Sequence, residues 1–322
     1  MRRFINDAHL SAPSEALDEW LESFDSVRGR FGHLLLEQKS DTDNDLIAGL
    51  RPYFESAHTD AREYFHAQIG INLHPDAGAP GEEACYPNCL PLKALRGLFG
   101  EVMAGMLTEA FRDSFVGGHA WRVPIYLFRY HADVEAYLFS LARDGRRWRE
   151  VFGRFGSDFI GVVLDDDGRV SRFIAGEAKW RRLLTDGVFN ELMLGELITD
   201  PDTGERTRSG KGVWFEINRD TPVPHGLRQL QRLLEQRDSE GYAAAILSLD
   251  EALILDHPRP LPRTNLILIA GNGAQRREEG DVLIGWEELP NEYTAPHDLQ
   301  VVELILSDGE LLIDGLYSSL WT

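Results

Sequence analysis

Two apolar, β-rich runs joined by a short acidic turn set the tightest constraint on this chain. Residues 158–164 (DFIGVVL) and 170–176 (VSRFIAG) flank Asp-Asp-Asp-Gly, and Asp167-Gly168 is a pair suited to a two-residue type I′ hairpin loop. With those two residues as the loop, Asp166 faces Arg169 and the pairing runs on residue by residue. Leu164 then faces Ser171, Val162 faces Phe173, Ile160 faces Ala175, and Asp158 faces Glu177. Side chains alternate along a strand with period two, so Lys179 is expected on the same face as Glu177.

Directly opposed residues in an antiparallel pair have Cβ atoms about 4.5–5.5 Å apart, and like charges there repel. The two carboxylates therefore need a cation between them, or one must hold a proton. A hard divalent cation suits such a pair, and Mg²⁺ commonly binds through one or two carboxylates while keeping waters and substrate phosphates. Lys179 adds a point charge beside that position, able to touch a scissile phosphate or help deprotonate a water. The same residues also read as a plain ion pair, Lys179 with Glu177 or Asp158 on a half-wet sheet, with no catalysis.

Asp158 followed by Glu177-Ala178-Lys179 at the end of the next strand resembles the D…(D/E)xK signature of the PD-(D/E)xK nuclease superfamily. Glu101, in LKALRGLFGEVMAGMLTEAF, is similar to the acidic residue often found on that family's preceding helix. The stretch HGLRQLQRLL, with Arg228, Gln229 and Gln231, is similar to its following helix. The fuller pattern FGEVMAG, GRFGSDFIG, IAGEAKW looks most like the HamA nuclease subunits of Hachiman antiphage systems. Ser157 stands where the superfamily often has proline.

The superfamily resemblance spans residues 92–270 and implies an α/β (α+β) fold, a mixed central sheet flanked by helices with a restriction-endonuclease-like core. It implies Mg²⁺ (or Mn²⁺) held by Asp158, Glu177 and the carbonyl of Ala178, with Glu101 as a further ligand. Lys179 would orient or deprotonate a water, or stabilise developing charge. Arg228, Gln229 and Gln231 would contact phosphate, and Trp180, Arg181 and Arg182 would flank a DNA groove. A helicase partner is implied by the Hachiman likeness.

A net charge of −20 argues against a surface coated for nonspecific DNA binding. Cations are nevertheless concentrated around the candidate site: Arg143, Arg146, Arg147, Arg149, Arg154, Arg169, Arg172, Lys179, Arg181 and Arg182 outnumber the acids between them. No long apolar run predicts a membrane span, and the N-terminus lacks the apolar block of a signal peptide. Only Cys85 and Cys89 are present, which fits a reducing cytoplasm. With His74 upstream they form an incomplete zinc pattern, better read as two reduced thiols. Ala270-Gly271-Asn272-Gly273 reads as a turn, since it lacks the lysine and longer glycine pattern of a phosphate loop.

The expected organisation is a mostly helical N-terminal region over residues 1–90, then the nuclease-like core over residues 91–322. In the first, helices are expected at 15–26 and 44–67 with a possible strand at 31–36. In the second, helices are expected at 92–111, 132–142, 188–197, 224–237, 239–252 and 310–320. Strands are expected at 121–130, in the hairpin, at 265–270 and at 299–306, with a polar loop at 199–211.

Overall fold

The computed structural model of the protein describes residues 9–69, 86–88, 90–128, 157–201, 203–219, 225–253, 259–274, 278, 280–285 and 288–322. Its centre is a six-stranded mixed sheet built from β1 (Leu21–Arg28), β2 (Phe31–Gln38), β3 (Phe159–Leu164), β4 (Val170–Arg181), β7 (Arg263–Asn272) and β8 (Asp298–Leu306). The order across the sheet is β1-β2-β8-β7-β4-β3. The four inner strands are parallel to their neighbours, and an antiparallel hairpin strand closes each edge. The central strands β7 and β8 are near-continuous apolar runs, as expected of parallel strands covered on both faces.

Eight α-helices among the described residues cover the two faces. On one face lie α1 (Ser14–Trp20), α2 (Asn44–Ile69), α3 (Leu92–Ala110) and α8 (Gly309–Ser319), packed on Ile174, Ala178, Trp180, Leu266, Leu268 and Ala270. On the other lie α4 (Asp186–Leu194), α5 (Val213–Asn218), α6 (His225–Asp238) and α7 (Ala243–Leu253). This second layer is divided. α6 and α7 cover β3 and the first half of β4 through Ile160, Val162, Phe173 and Ala175, while α4 and α5 cover Ile267, Ile269, Val301 and Ile305.

The broad apolar face read on α3 is real, and the helix is buried throughout from Leu98 to Glu109. The buried Glu109 carboxylate is satisfied by donors from three segments: the Ala12 N–H (3.2 Å), the Tyr53 hydroxyl (3.2 Å) and the Val123 N–H (2.7 Å). Burial still raises its pKa.

Four expectations change. The helix expected at 15–26 ends at Trp20 and continues as β1, because the Trp20 carbonyl accepts from Lys39 N–H (3.0 Å) and opens a ladder with β2. β2 in turn pairs with β8, so residues on both sides of position 90 share one sheet. Over its described part, residues 121–128, the strand expected at 121–130 is reduced to a single bridge, Arg122 with Val162. Pro124, which would carry the next donor on that side, has no N–H to continue the ladder. The expected polar loop at 199–211 contains a small exposed ribbon, β5 (Leu197–Thr199) with β6 (Arg206–Arg208).

The helix expected at 132–142, the pair Cys85 and Cys89 with His74, and Arg143, Arg146, Arg147, Arg149 and Arg154 lie outside the described residues. Among the described residues no helix is long and apolar enough to cross a membrane.

His58 supplies a test of this packing. It is fully buried between the hydroxyls of Tyr86 (3.1 Å from Nδ1) and Tyr317 (3.3 Å from Nε2), and burial pushes its pKa down to about 3. The unfolded chain takes up that proton near pH 6.5, whereas the folded one resists it. Stability should therefore fall as pH drops below 6.5, by up to about 1.4 kcal/mol per pH unit from this residue. Denaturant melts across that range should show a shallower slope in His58→Gln than in the parent.

Candidate active site

The turn that organises the site is not the two-residue loop its Asp-Gly pair suggests. Asp165 N–H donates to the Arg169 carbonyl (2.9 Å) and Gly168 N–H to the Asp165 carbonyl (3.0 Å), which encloses three residues. Gly168 takes φ +78°, the left-handed position that follows a type I turn in three-residue hairpins. The Asp165 carboxylate accepts from Asp167 N–H (3.0 Å) and Arg169 N–H (2.9 Å), so the acidic run folds onto its own backbone. Leu164 consequently pairs with Val170, one position off the expected register. A bulge at Ser171 then takes up the extra residue, and Val163 meets Arg172, Val162 meets Phe173, Ile160 meets Ala175 and Phe159 meets Gly176. The register that reaches the site is thus the expected one, arrived at by a different turn.

Asp158 stands just past the end of this ladder. Its N–H donates to the Gly176 carbonyl (2.8 Å), and its carboxylate accepts the Ala178 N–H (2.8 Å), filling the place where β3 would have supplied the next rung. Lys179 Nζ lies 3.3 Å from Asp158 Oδ2 and 2.9 Å from Glu177 Oε2, so both carboxylates converge on one ammonium. The three side chains are 17%, 12% and 31% exposed for Asp158, Glu177 and Lys179, reachable from solvent but largely desolvated. Burial and the Asp158 charge push the Glu177 carboxyl well above its usual range, against the opposing pull of Lys179. Burial works against the Lys179 ammonium, but Asp158 and Glu177 overcome it and hold the amine above its ordinary range.

Glu177 and Lys179 alternate with Ala178 and Trp180, and they point to the divided face of the sheet. They emerge beside the N-terminal end of α6, where Gly226 lets the helix backbone sit directly on Ile160. α5 packs against β4 as well, and its Glu216 carboxylate adds to the field that raises Glu177. The site therefore lies between the two satellite cores of that face.

The other sequence candidates are distributed as follows. Glu101 is 3% exposed on α3, on the opposite face of the sheet, where its charge acts on the hydroxyls of Tyr126 and Tyr317. Among the described residues no group of three His, Cys, Asp or Glu side chains is placed to hold a metal ion, so Glu101 does not join Asp158 and Glu177. Trp180 is not a groove residue. It packs edge-on against Phe99 (ring centroids 5.3 Å apart), and its indole N–H donates to Glu310 Oε1 (3.2 Å).

Gln231 is buried and donates to Asp250 Oδ1 (2.5 Å) on α7, which removes it from a phosphate-binding role. Gln229 lies one turn beyond Gly226, and its buried Oε1 has no hydrogen-bond partner among the described residues. Arg228, Arg181 and Arg182 are exposed. Arg169 and Arg172, by contrast, are engaged by Glu251 (2.7 Å) and Asp298 (3.4 Å). Glu216 and its helix were not anticipated, because six residues between glycine and a polar stretch carry too little periodicity to read.

The chain matches no protein-family model and no curated protein.

The placement of Trp180 generates a test. Trp180→Ala should lower the unfolding free energy by about 3–5 kcal/mol through the cavity it leaves. A thermal melt of the variant indistinguishable from the parent would show that the indole is not a core residue.

Proposed function

We propose that this chain is a metal-dependent nuclease that hydrolyses DNA phosphodiester bonds. The observation that supports it most directly is the convergence of Asp158 and Glu177 at the end of β4, bracketed by the Ala178 backbone and Lys179.

The donor set suits Mg²⁺ or Mn²⁺. Two carboxylates face one another at a partly exposed position, and hard divalent cations favour oxygen ligands. A third oxygen is available. Backbone groups alternate along a strand, so the Ala178 carbonyl points to the same side as its N–H, past the end of β3 and toward Asp158. Burial and the Asp158 charge raise the Glu177 pKa, and a cation between the acids would offset both. A bound divalent cation lowers the pKa of a water and offsets charge on the phosphate.

The protein's own groups supply the rest. Asp158 and Glu177 would hold that ion, and the Asp158–Ala178 hydrogen bond fixes the Asp158 rotamer. Lys179, donating to both carboxylates, stands as a cation that orients the attacking water or holds a phosphate oxygen. Arg228 and Gln229 on α6, with Arg181 and Arg182 beyond β4, contact the flanking backbone. The Hachiman likeness of FGEVMAG, GRFGSDFIG and IAGEAKW supports a role as an antiphage effector working with a helicase.

One observation favours a second reading. Lys179 Nζ occupies the position between the carboxylates where a metal would sit, which suits a module silent until a partner or DNA draws the lysine away. Cleavage that appears only when the partner is added would favour this version.

Asp158→Ala and Glu177→Ala should each lower cleavage of plasmid DNA with Mg²⁺ by roughly a thousandfold or more, since several kcal/mol of charge stabilisation depends on the ion they hold. Lys179→Ala should cost about a hundredfold or more. Calorimetry should show Mn²⁺ binding to the parent and none to Asp158→Ala. An Asp158→Ala protein that cuts as fast as the parent would end the proposal.

A further inference from the structure

α5 packs against β4 beside the carboxylate pair and turns an aromatic ring outward. Its inner side is anchored. Val213, Trp214 and Ile217 are buried, Trp214 lies against Tyr293 (ring centroids 6.4 Å apart), and the Ile217 carbonyl accepts from Asn265 Nδ2 (3.4 Å). Its outer side carries Phe215, 46% exposed, together with Glu216 and Arg219.

The Arg219 guanidinium lies 5.5 Å from the centre of the Phe215 ring and 3.5 Å from the Glu216 carboxylate. It thus steadies the ring and offsets the Glu216 charge beside it. Isolated exposed apolar residues are ordinary. This one differs in being held by an anchored helix that packs against β4, the strand that carries Glu177 and Lys179. With a net charge of −20, general attraction to phosphate is a weak source of affinity, so base stacking has more to contribute.

We propose that Phe215, steadied by Arg219, is a stacking shelf for an unpaired nucleobase beside the scissile phosphate, which makes single-stranded or frayed DNA the substrate class of this site. The proposal rests on the nuclease reading above. In a duplex each base face is covered by its neighbour, so a protein ring stacks only on a base that has left the helix. Phe215 and Arg219 accept the base, while the Glu216 carboxylate beside them repels the phosphate chain.

The test uses the full chain in EDTA, with a short labelled oligothymidylate followed by fluorescence polarisation. Phe215→Ala should weaken binding about 5- to 150-fold, the range for loss of one base–aromatic stack, and Phe215→Trp should restore it. A strand carrying 2-aminopurine should lose fluorescence on binding the parent and the Trp variant but not the Ala variant. A duplex of matching length should compete weakly. Equal binding by Phe215→Ala, or equal competition by duplex, overturns the shelf. If the parent still binds Mn²⁺ and cuts DNA through Asp158 and Glu177, only the shelf has failed. A parent that binds no Mn²⁺ and cuts nothing removes the nuclease reading, and the shelf's role in cleavage with it.

Discussion

The antiparallel ladder between β3 and β4 holds the candidate site in place. It ends at Phe159 and Gly176, and the next bond in line is made by a side chain, Asp158 accepting from Ala178. A carboxylate thereby takes the role of a backbone rung, which positions it beside Glu177 and Lys179 with little rotamer freedom. Such a group cannot relax away from its neighbour's charge. Burial and the Asp158 charge leave a Glu177 carboxyl that resists ionising, and the two acids leave a Lys179 amine that resists losing its proton.

Division of the second helical layer makes that arrangement accessible. α6 and α7 cover one stretch of the sheet and α4 and α5 another, and the polar end of β4 emerges between them. On the opposite face Ala178 and Trp180 pack under α3 and α8, so adjacent residues of one strand serve a core and a candidate site in alternation.

Much of this was legible. Asp158, Glu177 and Lys179 could be brought together from the hairpin's length and period-two alternation, and the compensating bulge at Ser171 left that result intact even though the turn had been misread. The buried strands β7 and β8 and the helix α3 were plain from composition alone. What failed was whatever depended on which face a helix covers. Glu101 sits on an apolar helix and looked able to reach the acids, but sequence does not reveal that α3 packs beneath Ala178. Trp180 and Gln231 were drawn toward DNA by the family resemblance, whereas an indole and a buried amide found partners in Glu310 and Asp250. β1 was misassigned because Leu17, Trp20, Leu21 and Phe24 fit helical spacing, and only the edge of β2, a tertiary feature, decides otherwise.

The parallel pairing of β2 with β8 joins segments whose members His33 and Glu303 are 270 positions apart. Loop closure over such a span is slow, and a sheet that depends on it forms late. On a ribosome, β2 and β7 must both wait with bare edges for the strand that belongs between them. A protein built this way completes its central sheet only once β8 has been made, and a product truncated before β8 would be prone to aggregate.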